Sequence, residues 1–78
     1  MANLRLQKAI LEAVENQLRA DDPPETKQTF DRLLREGYSE DDAMKLIGRA
    51  VATDIYEVLS NKKPFDKERY IKALKELP

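Results

Sequence analysis

Seventy-eight residues with 41% hydrophobic and 37% charged side chains describe one small folded domain, expected over 1–78, that buries only about 60–65% of the surface its unfolded form exposes. Fourteen basic against fifteen acidic residues give a net charge of -1, which offers no electrostatic footprint for nucleic acid. With no cysteine and no histidine, the chain by itself has no disulfide, no thiol or imidazole catalysis, and none of the usual zinc or haem ligands.

The opening stretch "MANLRLQKAILEAVENQL" lacks the unbroken apolar run of a signal peptide, and Glu12 and Glu15 are foreign to a mitochondrial transit peptide. No segment reaches the roughly 20 apolar residues of a membrane span, so a cytoplasmic protein without membrane contact is expected. Leu4, Ile10, Leu11, Val14 and Leu18 recur at helical spacing and predict a first helix, capped at Asn3 and running to about Arg19. This stripe is more than a two-turn packing partner requires. A homodimer or a contact with a protein partner is therefore expected through Leu4, Ile10, Leu11, Val14 and Leu18.

"RADDPPETKQTF" predicts the second helix, with Asp22 as cap, Pro23 at the first helical position and Glu25 completing a capping box. Phe30, Leu33 and Leu34 are expected on its apolar face, and Gly37 stops it. "GYSEDD" starts the third helix: Ser39 is the N-cap, and Glu40, Asp41 and Asp42 set negative charge against the positive end of the helix dipole. This helix is expected to run through Leu59 and to end near "SNKKP". "PFDKERYIKALKEL" gives a short last helix capped by Asp66, with Tyr70, Ile71, Leu74 and Leu77 on one side. No run alternates as a strand would, so the predicted class is all-α: a compact four-helix domain with antiparallel neighbours and the long third helix central.

The succession "PPETKQTFDRLLREGYSEDDAMKLIGRAVATDIYEVL" and "PFDKERYIKAL" resembles a group of uncharacterised small bacterial and archaeal helical proteins. It is similar to the C-terminal helical part of the DUF1841 family, where a Pro-Pro start, a second helix and an acidic-capped third helix recur. The resemblance spans roughly Asp22 to Pro78; it implies a helical fold and supplies no reaction.

On the third helix, Ala43, Ile47, Ala50, Val51 and Val58 fall within a third of the wheel, and Asp54 falls inside that arc. A carboxylate facing the core needs a partner, and Arg5, Arg32, Arg69, Tyr70, Thr26 and backbone N–H groups at the start of the second helix are the candidates. Gly48 within the same helix implies either the close approach of another helix or the floor of a pocket. Glu40, Asp41 and Asp42 lack the ligand spacing of a calcium loop, and Asp54 and Glu57 lack the histidines of a bundle di-metal site, so no metal or cofactor is expected. The sequence holds no nucleophile–base pair and no phosphate loop. A noncatalytic helical interaction or self-associating module is expected; the alternative is a small-ligand-binding protein or enzyme using Asp54, with Arg69 and Tyr70, in a polar pocket.

Overall fold

Four helices follow one another: α1 (Leu4–Ala20), α2 (Pro24–Arg35), α3 (Glu40–Asn61) and α4 (Lys67–Lys75). The structure is a computed structural model and describes residues 4–62 and 64–78, with Leu4 described by its backbone alone. The expected Asn3 cap, Lys63 and the Leu4 side chain lie outside the described residues. The four-helix, all-α architecture is as the punctuation predicts.

The helix starts are set by local chemistry. Ser39 Oγ accepts from Asp42 N at 3.1 Å, and Asp66 Oδ1 accepts from Glu68 N at 3.0 Å and Arg69 N at 3.3 Å, each satisfying N–H groups that a helix leaves orphaned. The start of α2 differs from expectation: Pro23, not Asp22, is the N-cap, with no side-chain cap bond, and Pro24 is the first helical residue. A residue that precedes proline is kept out of the α region, so Pro24 holds Pro23 extended (φ -76°, ψ 151°) and delays the helix by one position.

Three left-handed residues end the first three helices: Asp21 (φ 53°), Gly37 (φ 100°) and Lys62 (φ 52°). After α2, Tyr38 N donates to Leu33 O and Gly37 N to Leu34 O, both at 3.1 Å, the paired bonds of a Schellman close. Asp22 N donates to Gln17 O at 3.1 Å in the same manner after α1. The helices α1 and α3 run one and two residues beyond Arg19 and Leu59, because these left-handed positions, and not the last apolar residues, terminate them.

The core joins all four elements through Val14, Leu33, Ala43, Ile47, Ala50, Val51, Tyr70 and Leu74. Every pair of helices approaches closely except α1 and α4. The long helix α3 therefore packs on the other three, as expected, but α2 does so too. The buried face of α2 also includes Thr26 and Thr29, which the apolar pattern did not mark, while Phe30 and Leu34 pack half-buried at its edges. A radius of gyration of 12.2 Å is close to the value of about 11–12 Å for a compact chain of this length.

Candidate functional site

Two features of different chemistry lie on opposite flanks of α3: a buried polar network and an apolar groove. The network begins at Asp54, which α3 turns into the core and leaves only 7% exposed. Arg69 Nη2 donates to Asp54 Oδ1 at 3.0 Å, so among the expected partners Arg69 is the one that holds the carboxylate. Arg32 works elsewhere, ion-paired with Glu36 at 2.8 Å and donating from Nη2 to Leu74 O at 3.2 Å, which ties α2 to the end of α4. The Asp66 cap fixes the first turn of α4, and that turn carries both Arg69 and Tyr70 inward.

Tyr70, 2% exposed, donates its hydroxyl proton to Gln17 Oε1 at 2.8 Å. Thr26 Oγ1 donates to the same oxygen, also at 2.8 Å. Gln17 on α1, Thr26 on α2, Asp54 on α3 and the Arg69–Tyr70 pair on α4 thus bring every helix into one polar cluster. Arg69 Nε is the one buried side-chain polar atom among the described residues without a partner.

Burial pushes the Tyr70 phenol above its ordinary value of 10.0; the hydrogen bonds with Thr26 and Gln17 oppose the rise, and the negative charge of Asp54 adds to it. A raised phenol is held neutral by the fold, so its contribution to stability is complete below the ordinary tyrosine range and is lost as the pH rises through the raised value. Spectrophotometric titration is expected to show one tyrosine step above that range, absent from Tyr70→Phe. Persistence of the step in that variant would contradict this assignment.

The polar groups of the network are committed to one another. Tyr70 remains a protonated donor, and Asp54 is occupied by Arg69. The adjoining recess, lined by Ala50, Thr53, Asp54, Glu57, Arg69, Tyr70 and Ala73, has about 100 Å³, well short of the roughly 300–1,000 Å³ of ligand sites. A second recess of about 280 Å³ lies over Gln17, Asp22, Pro23, Phe65, Lys67 and Tyr70. Its polar groups are already committed to one another: Lys67 Nζ stands 3.7 Å from Asp22 Oδ1, and Gln17 holds Tyr70. No group of three or more acidic, histidine or cysteine side chains able to hold a metal occurs among the described residues.

The groove lies between α1 and α3 and has a volume of about 390 Å³. Gly48 is at its floor, where an added Cβ would sit 3.2 Å from Ile10 Cγ2 and 3.9 Å from Leu11 Cδ2. Glycine therefore serves both purposes that its position implied: it lets α1 approach, and it keeps a groove open. Leu6, Gln7, Ile10, Leu11, Lys45, Arg49 and Ala52 complete the lining. Beyond Ala52 the same side of α3 presents Ile55, Tyr56 and Leu59, which are 39%, 66% and 74% exposed.

The expected interface set on α1 needs correction. Val14 is fully buried within its own domain, and Ile10 and Leu18 pack partly buried against the core, so much of that stripe is consumed internally. Leu11 and the outer side of Ile10 remain as groove wall, joined by Leu6, which is 51% exposed. Leu6 and the stripe on α3 were missed. The signal was present: Gly48, Ala52, Ile55, Tyr56 and Leu59 follow helical spacing on a side of α3 away from Asp54.

The chain belongs to the family described as a domain of unknown function (DUF1841), which matches residues 4–76. The match takes in α1 as well, so the family likeness begins earlier than the Pro-Pro start of α2. No curated protein matches the chain. No solved structure matches it either. Among the described residues no helix is long and apolar enough to cross a membrane.

Proposed function

We propose that this protein is a noncatalytic helical interaction module of the cytoplasm that docks a protein on its α1/α3 face. The observation that carries the reading is the exposed apolar stripe of Ile55, Tyr56 and Leu59 continuing out of the groove floored by Gly48 and Ala52. Contiguous apolar surface of this kind marks interaction sites on small monomers. Burying one such side chain fully contributes about 1.5–3 kcal/mol, and a domain of marginal stability gains further because a partner that binds only the folded state stabilises it. The Asp54 network, in this reading, ties the helices together and holds the two walls of the groove.

The double substitution Tyr56→Ser with Leu59→Ser tests it. Both side chains are exposed, so each change is expected to cost about 0.5 kcal/mol or less and the thermal midpoint to stay close to that of the unmodified chain. Affinity purification from the native cell and sedimentation of the purified protein are then compared with the unmodified chain. Loss of a stoichiometric partner or of self-association supports the module. Identical partners and identical assembly in both would overturn it.

A further inference from the structure

Resting on that reading, we infer that the α1/α3 groove binds an amphipathic helix of a partner protein, with an apolar ridge over Gly48 and Ala52 and carboxylates along one edge that meet Arg49 and Lys45. The charge of the lining is what identifies the occupant. The chain as a whole carries -1, yet the residues lining the groove include two cations and no carboxylate. The Arg49 guanidinium has no side-chain hydrogen bond or ion pair with any described residue; its carbonyl accepts from Thr53 Oγ1, and its head group is left to the solvent. Among the described residues Lys45 meets Asp41 alone, at 3.2 Å, in an exposed pair one turn away that contributes little. A helix bearing glutamate or aspartate beside its apolar ridge gives Arg49 an acceptor and Lys45 a second one, and charge complementarity of this sort selects partners and speeds encounter.

A second copy that seats its own α3 stripe in the groove fits less well. Two-fold symmetry makes each contact occur twice, so seating Leu59 of each copy on Gly48 of the other, with the α3 helices antiparallel, brings Lys62 beside Lys45. Like charge then faces like charge, and Arg49 falls opposite Val58 with no acceptor. A flat bilayer surface fits less well again, because the apolar floor is recessed between two helices.

The test is selection from a displayed library of amphipathic helical peptides with a fixed leucine ridge and edge positions varied among Glu, Gln and Lys. The unmodified protein is expected to enrich Glu over Lys at one edge by about tenfold or more, equivalent to about 1.4 kcal/mol, with the margin shrinking as salt is raised. Arg49→Glu, a change at an exposed position, is expected to reverse the preference towards Lys. Ala52→Gln, which fills the floor without altering charge, is expected to abolish enrichment while circular dichroism and the thermal midpoint show the fold retained.

Enrichment without charge preference, or a preference that Arg49→Glu leaves unchanged, would overturn the proposal. So would a dimer that Ala52→Gln dissociates, which assigns the groove to a second copy, or binding to anionic vesicles that Arg49→Glu removes. If the library result fails while Tyr56→Ser with Leu59→Ser still strips the native partner, the acidic helix is wrong and the docking module stands. If both fail, the module falls as well.

Discussion

Replacing Ile47 with alanine is expected to destabilise the domain by about 2–5 kcal/mol, the range for removing a large aliphatic side chain from a closed core. Ile47 has no exposed surface and stands on α3, the helix that meets α1, α2 and α4. The core cluster it belongs to draws on every helix, so the space it vacates is not closed by a shift of one element. For a domain of this length the whole folding free energy is about 4–12 kcal/mol, and the substitution removes a large part of it. Urea unfolding reads the loss as a lower midpoint at unchanged slope. Leu59→Ala is the control on the same helix: 74% exposed, it should cost under about 0.5 kcal/mol. Similar losses at the two positions would put the phase of α3 out of register with the structure described here.

The second large effect is expected at the ion pair, and its signature is an asymmetry. Arg69→Met keeps the apolar stem and removes the guanidinium, leaving the Asp54 carboxylate buried without its partner. Stranding one member of a buried pair costs about 3–5 kcal/mol; here the lower end applies, because the Arg69 side chain is 32% exposed and water already screens that side. Asp54→Asn weakens a charged hydrogen bond and should cost about 1–3 kcal/mol. Asp54→Leu should cost less than Arg69→Met, since the freed guanidinium can turn to solvent and leucine meets the apolar Ala50 and Ala73 that line the recess beside Asp54. Equal losses from Arg69→Met and Asp54→Leu would show that the pair is not what makes Asp54 tolerable in the core.

How much of this was legible in the sequence depends on how local each signal is. Ser39, Asp66 and Gly37 act within four residues of themselves, and each does in the structure what its position in the chain implies. The burial of Asp54 was legible as well, because it needs only the phase of one helix. Its choice of Arg69 over Arg5 and Arg32 was not, since that depends on how α4 lies against α3. Lys62 carries no mark of the left-handed backbone it adopts, and Asp21 only the mild tolerance that aspartate has for it. Gln17 reads as ordinary polar surface, and Thr26, expected among the partners of Asp54, instead shares Gln17 with Tyr70, which arrives from a segment more than forty residues away. The groove was half legible, through Gly48. The second apolar side of α3 was not, because an outward apolar side and a core-facing one have the same helical spacing in the chain.

The double acceptance at Gln17 Oε1 bears on how the molecule opens. Lifting the C-terminal half of α1 strands the hydroxyls of both Thr26 and Tyr70, so that half can leave only together with α2 and α4. The N-terminal half packs Ile10 and Leu11 on α3 over Gly48. The same helix is thus tied to two others by shared hydrogen bonds at one end and set on α3 by apolar packing along the other, and it is the second of these halves that forms one wall of the groove.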